Sequence, residues 1–235
     1  MFERLDLLIG QEKRESLATK TVVIVGVGGV GGYAIEALTR CGVGNFVLID
    51  HDIVDITNKN RQIIALDSTV GQKKVEVLKN RMHDINPNCN IDTYDFFLDD
   101  SNLDLLNKYS IDFLIDACDS VNTKKLLLSK ASKENIPFIA SMGAANKLDP
   151  SQLEITDIRK TSYDPLAKIM RKYVKDQNLK NKITVVSSKE KPQKNQSKTL
   201  ASISFVPSSA GLLIASHIIH SWISTPKKNY DLSDC

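Results

Sequence analysis

Cysteine is scarce in this 235-residue chain, and its four copies, Cys41, Cys89, Cys118 and Cys235, form no Cys-x-x-Cys pair. That pattern speaks against a structural zinc site and against a disulfide framework. A surplus of one charge is also missing. With 31 basic and 28 acidic residues the net charge is only +3, so any nucleic-acid contact needs a local patch rather than a whole-molecule field. No apolar run approaches the ~18–20 residues of a membrane span. The longest, "AGLLIASHIIHSWI", contains two histidines and reads as a packed helix. The opening "MFERLDLLIGQEKRES" lacks the apolar core of a signal peptide, and a reducing cytoplasmic location is the expectation. What is present, 42% hydrophobic and 25% charged residues, is ordinary globular composition. The length suits one large α/β domain or one domain with an appendage.

Short β-branched runs alternate with helical patterns. "TVVIVG" (21–26), "NFVLID" (45–50), "NIDTYDFF" (90–97), "IDFLIDA" (111–117) and "IPFIASMGAA" (136–145) read as strands. Residues 3–18, about 29–41, 70–86 and 122–135 read as helices. This alternation predicts an α/β, doubly wound, mostly parallel Rossmann-like sheet. Beyond Lys147 the pattern changes to a short strand, a basic helix at 164–176 opened by Pro165, another strand, a polar loop at 189–198 and a closing helix. The expected organisation is one domain: a nucleotide-binding core over 1–147, a basic α+β insertion over 148–200, and a closing helix and tail over 201–235.

"GVGGVG" (26–31) stands between a strand and a helix. In such a fingerprint Gly26 permits the tight turn, Gly28 lets the backbone approach a phosphate, and Gly31 lets helix and strand pack closely, with Gly29 between them. Asp50 ends the next strand, where a carboxylate can hold ribose hydroxyls. Asp52 follows by two, and strand alternation would place both carboxylates near the nucleotide. Alone, these residues suit a nicotinamide enzyme as well as a nucleotide enzyme. Asn58, Asn60, Arg61 and Gln62 then fall on a loop beyond the strand end, and Lys73 opens a helix. Arginine offers a fork and lysine a point charge for phosphate oxygens. Such a set can neutralise a triphosphate, which adenylyl transfer needs and hydride transfer does not. In "DACDSVNTKK" (116–125), Asp119 is the candidate ligand for a magnesium ion bridging phosphates, while Asp116 is assigned a helix-capping role.

Together these motifs resemble the adenylating domain of the ubiquitin-activating superfamily, which includes the bacterial activators of sulfur-carrier proteins. Within it, "INPNCNI", "GAANKLDPSQLEITDI", "KTSYDPLAKIMRK", "VVSSKEKP" and "SISFVPSSAGLLIAS" resemble the tRNA threonylcarbamoyladenosine dehydratase branch nearly end to end. The resemblance implies a sheet of the adenylation type, ATP and Mg2+ as cofactors, and ATP-dependent cyclisation of threonylcarbamoyladenosine next to the tRNA anticodon. It implies a catalytic set of Arg61, Lys73, Asp119 and Arg4, the last reaching the ATP of a partner subunit in a homodimer. A sulfur-relay accessory protein is a further candidate partner. The alternative within the superfamily is an adenylyltransferase that activates the C-terminal carboxylate of a small sulfur-carrier or ubiquitin-like protein. The missing zinc pairs speak against it. A nicotinamide redox domain and a non-catalytic nucleotide sensor are the readings from other classes.

Between Asp157 and Lys182 stand Arg159, Lys160, Lys168, Arg171, Lys172, Lys175, Lys180 and Lys182, opposed by three aspartates. A helix so biased can track a phosphate backbone, or simply face water. Tyr163 and Tyr173 could stack on bases or pack the helix. No cysteine occupies a convincing nucleophile position, so direct intramolecular closure is expected rather than an acyl-enzyme.

Overall fold

The β-branched runs form the middle of one seven-stranded sheet, seen in a computed structural model that describes residues 1–194 and 199–224. The strands are β1 (Thr21–Val25), β2 (Asn45–Ile49), β3 (Asn90–Tyr94), β4 (Phe113–Asp116), β5 (Phe138–Ser141), β6 (Leu153–Asp157) and β7 (Thr184–Ser188). Their order is β3-β2-β1-β4-β5-β7-β6, parallel throughout except for the edge strand β6, which runs antiparallel to β7. β1 and β4 are almost wholly buried, as strands covered on both faces must be.

The helices are α1 (Glu3–Ile9), α2 (Gln11–Leu17), α3 (Gly31–Arg40), α4 (Lys74–Ile85), α5 (Val121–Glu134), α6 (Pro165–Asp176) and α7 (Phe205–Ile223). Strand alternation sends Val22, Ile24, Phe46 and Leu48 to one face, where they meet α3, α4 and α7. It sends Val23, Val25, Val47 and Leu114 to the other, against Leu127 and Ala131 of α5. α6 joins that second layer through Ala167, Met170 and Val174, packed on Ala140 and Val185. α3 and α7 are locked together at Gly211, where a Cβ would lie 2.3 Å from the Val30 carbonyl oxygen.

Two expectations change. The single helix expected over 3–18 is two, broken at Gly10, whose φ of +89° is the glycine-favouring region. Residues 148–200, expected as an insertion packed onto the core, instead extend the sheet itself through β6 and β7. "ITVVSS" had the composition of a buried strand, and β5 offered an open edge for it. Cys235 and positions 195–198 of the polar loop lie outside the described residues. Among the described residues, no helix is long and apolar enough to cross a membrane.

Candidate active site

The sheet changes its winding between β1 and β4. The chain leaves β1 for α3 on one face and leaves β4 for α5 on the other, so the carboxyl ends of these neighbouring strands open a crevice, the usual ligand position of such sheets. Gly26 has φ +88°, and a Cβ there would come 2.7 Å from the Ala117 carbonyl. The loop after β1 can therefore pass directly under the turn after β4. A Cβ on Gly31 would lie 1.9 Å from the Gly26 oxygen, which fixes how closely α3 begins against β1. At Gly28 a Cβ would meet only the Gln62 side chain, at 3.5 Å, so backbone is open to a ligand there. Gly29 packs against Pro207 at the start of α7.

Asp50 follows β2 and binds this loop: its Oδ2 accepts the Val27 amide at 2.8 Å and its Oδ1 accepts the Asp52 amide at 2.9 Å. A carboxylate retains further acceptor sites after two such bonds. The Asp52 carboxylate lies within 4.8 Å of that of Asp50. It lies past the end of β2, where strand alternation no longer applies, and its Oδ2 pairs with the buried Lys74 ammonium at 2.7 Å.

The segment 55–62 is a tight turn, not an open loop. Asn58 is buried in a reciprocal cap with Asp55, accepting the Asp55 amide at 3.1 Å. Gln62 is buried beside Gly28, and its Oε1 has no hydrogen-bond partner among the described residues. Such an orphaned acceptor is costly unless a ligand or water completes it. Asn60 donates to the Ser202 carbonyl at 3.0 Å. Arg61 donates from Nη1 to the Thr57 carbonyl at 3.0 Å and to Asn60 Oδ1 at 2.8 Å. Lys73 is the residue before α4 and pairs with Asp95, just past β3, at 2.6 Å. The Asp95 hydrogen bond and charge hold its ammonium above the ordinary lysine range.

The turn after β4 holds the second constellation. Asp119 is exposed and accepts no hydrogen bond or ion pair among the described residues. One free carboxylate at a phosphate crevice suits magnesium, which takes one or two carboxylates, the phosphates and its own waters. Asp116 does not cap α5; Ser120 does, accepting the Thr123 amide at 3.3 Å. Asp116 is wholly buried and pairs with the wholly buried Lys124 at 3.0 Å. Lys124 also donates to the Ser141 carbonyl at 2.8 Å, tying the end of β4 to the end of β5. Sequence reading missed both Lys74 and Lys124. Each stands in a "KK" pair, where lysine ordinarily reads as solvated. For Lys124 the available signal was Asp116, an aspartate ending the buried run of β4, which needs a cation.

Arg4 is not brought to this crevice within one chain. Phe2, beside it, packs at Gly42, just past the far end of α3 and before β2 begins. α3 spans ten residues, so α1 lies about 15 Å from the glycine loop along that helix. Arg4 is exposed on a helix with no buried residue.

Cys118 lies in the constellation, but burial, and then the neighbouring Asp116 carboxylate, push its thiol far up. Burial also raises Cys41 and Cys89. The protonated thiol is a poor nucleophile. Cys118→Ser is expected to leave the chemistry of the crevice intact, because a buried protonated thiol takes no chemical part. Intact-protein mass spectrometry of the quenched reaction is expected to show no substrate adduct on the parent; an adduct at Cys118 would reverse this reading.

A glycine cradle, a loop-bound carboxylate and separated cations at a topological switch point define a nucleotide-binding α/β protein. The chain belongs to the ThiF family, whose model matches residues 3–232. It is 42% identical over 235 aligned positions to the tRNA threonylcarbamoyladenosine dehydratase of Bacillus subtilis, covering 93% of this chain and 92% of that one. Its fold superposes on the Escherichia coli tRNA N6-threonylcarbamoyladenosine dehydratase solved with ATP, at a TM-score of 0.88 and 34% identity, over 94% of this chain and 93% of that one. The same enzyme solved with AMP gives 0.87 and 35%, over 93% and 92%. The seven-stranded, mostly parallel sheet is the fold shared with these structures.

Proposed function

We propose that this chain catalyses the ATP-dependent cyclisation of threonylcarbamoyladenosine in tRNA, next to the anticodon. The observation that carries the reading is the near end-to-end likeness to threonylcarbamoyladenosine dehydratases, and the crevice supplies groups suited to the reaction. A threonyl carboxylate oxygen attacks the α-phosphorus of ATP and pyrophosphate departs, leaving an acyl adenylate. The neighbouring carbamoyl group then closes on the activated carbonyl, loses a proton and expels AMP. The substrate loses one water overall.

The chain's share is positioning and charge. The glycine loop 26–31 receives phosphate oxygens on its backbone N–H groups. Asp50 and the orphaned Gln62 Oε1 receive nucleoside donors, while Asn58, Asn60 and Asp52 hold the surrounding turn in shape. Arg61 turns from its two local acceptors, and Lys73 from Asp95, toward the phosphates. Asp119 would hold magnesium, which when bound supplies charge neutralisation across the phosphates. Arg4, displaced from its own crevice, acts across a homodimer, and α1 offers it there together with Leu7 and Leu8, exposed to 84% and 81%. A cytoplasmic setting follows from a tRNA substrate. A sulfur-relay accessory protein stays a proposed partner on the resemblance alone.

tRNA is proposed to lie along α6. Of its basic neighbourhood, Arg159 is spent on Asp157 and the Leu179 and Asn181 carbonyls, and Arg171 on Thr161. Lys168, Lys172 and Lys175 are exposed and join no ion pair among the described residues. Changing those three to Gln is expected to flatten the salt dependence of tRNA binding. Each lost phosphate contact lowers the slope by about 0.7–0.9. Filter binding across a salt series measures it, and an unchanged slope would place the tRNA elsewhere.

The deciding experiment incubates tRNA bearing threonylcarbamoyladenosine with the protein and ATP, then digests it and weighs the nucleosides. A product lighter by one water, made with ATP and not with NAD, is expected. Adenylation of a carrier protein's C-terminus with no change in the tRNA would replace this function with the alternative.

A further inference from the structure

Four non-glycine residues among those described adopt a positive φ, and three of them, Asn135, Asn146 and Asn178, are asparagines, which tolerate it. The fourth is Tyr163, at φ +53°. A side chain with an aromatic ring is disfavoured there, and residues so strained gather at ligand clamps. Tyr163 is also 53% exposed. The Lys191 ammonium sits over its ring, 5.1 Å from the centroid.

Its backbone is held firmly. The next residue, Asp164, is buried and caps α6 by accepting the Ala167 amide at 3.0 Å. Asp164 also accepts the Gly143 amide at 2.7 Å, and Gly143 is two residues beyond the end of β5. Tyr163 therefore stands at the carboxyl edge of the sheet. β5 is the direct neighbour of β4, which carries the Asp116–Asp119 turn, and adjacent strands are about 4.8 Å apart. The other tyrosine of this region is not available. Tyr173 is half-buried, bonds its hydroxyl to Ser129 Oγ at 2.6 Å, and has Lys125 over its ring.

We propose that Tyr163 is a positioning residue for the tRNA substrate, stacking on an unstacked purine of the anticodon loop so that the attached threonylcarbamoyl arm reaches the nucleotide crevice. The proposal rests on the tRNA reading of the site. Sequence-specific RNA recognition commonly works on splayed bases held against aromatic rings, and Lys191 beside the ring adds a cation for the flanking phosphate. The strained backbone fixes where the ring stands before substrate arrives.

The test compares Tyr163→Phe, Tyr163→Leu and Tyr163→Gly in the full chain with tRNA bearing threonylcarbamoyladenosine. Glycine removes the strain, so its melting temperature should equal or exceed the parent's, which separates folding from function. Leu and Gly are expected to raise KM for tRNA roughly 5- to 150-fold, the range of one aromatic–base stack, with the Kd for ATP unchanged. Phe is expected to restore the parent KM. Folded Leu and Gly variants with the parent KM would overturn the stacking role while parental turnover upheld the tRNA reading. A Phe variant as impaired as Leu would overturn it too, since the ring alone would not be what matters. If the parent itself converts no tRNA, the tRNA reading fails and the stacking role falls with it.

Discussion

Asp119→Ala is expected to slow pyrophosphate release about 100- to 1,000-fold at saturating ATP and tRNA, with the melting curve unchanged. The rate loss follows from the chemistry assigned to the crevice: removing one preorganised electrostatic group costs roughly 3–4 kcal/mol of transition-state stabilisation. The unchanged melting curve follows from the structure, since the Asp119 carboxylate supports nothing else among the described residues. Arg61→Ala should lose a similar factor. Its two local hydrogen bonds, to Thr57 and Asn60, are on exposed atoms and contribute little to folding. Arg61→Lys should recover only part, because an ammonium cannot reproduce the guanidinium fork. Near-parental pyrophosphate release by either folded alanine variant would remove that residue from the reaction.

Lys124→Met should destabilise the fold by about 3–5 kcal/mol, because it strands a buried carboxylate without its cation. Both partners are fully buried, and Asp116 Oδ2 already lacks a hydrogen bond among the described residues. The companion variant Asp116→Asn with Lys124→Met should regain most of the loss, since exchanging both members of a buried pair for neutral groups is often close to neutral. Urea unfolding measures all three chains. If the double variant is as unstable as the single one, the Lys124 stem and its bond to Ser141, rather than the charge pairing, hold the two strand ends together.

Most of the sheet could be read in the sequence because buried parallel strands demand runs such as "TVVIVG" and "IDFLIDA". The glycine loop was legible for the same reason: the close approach of Gly26 to Ala117 admits no side chain. What escaped was set by tertiary partners. Lys74 and Lys124 are helix lysines whose burial depends on Asp52 and Asp116, twenty-two and eight positions earlier in the chain. The Asp116 cap was misassigned because Ser120 competes for the same helix end. β6 and β7 looked like an appendage because nothing local says which edge a strand will join. Arg4 was placed by resemblance, and only the position of Phe2 at Gly42 reveals which end of the molecule it occupies.

The break at Gly10 makes α1 a detachable arm. Seven residues with no buried side chain fall short of the roughly 12–15 residues an isolated helix needs in water. Its moorings are the Phe2 ring at Gly42, the half-buried Ile9 side chain against the core, and the ion pair of Asp6 with Arg14 at 2.9 Å, with the same arginine lying over Phe2. The Arg14 and Asp6 side chains keep 18% and 26% of their surface exposed, so salt screens the pair in part. In the free subunit the backbone amides of α1 should therefore be among the first to exchange with deuterium, faster still at high ionic strength, and slower once a partner subunit covers the helix.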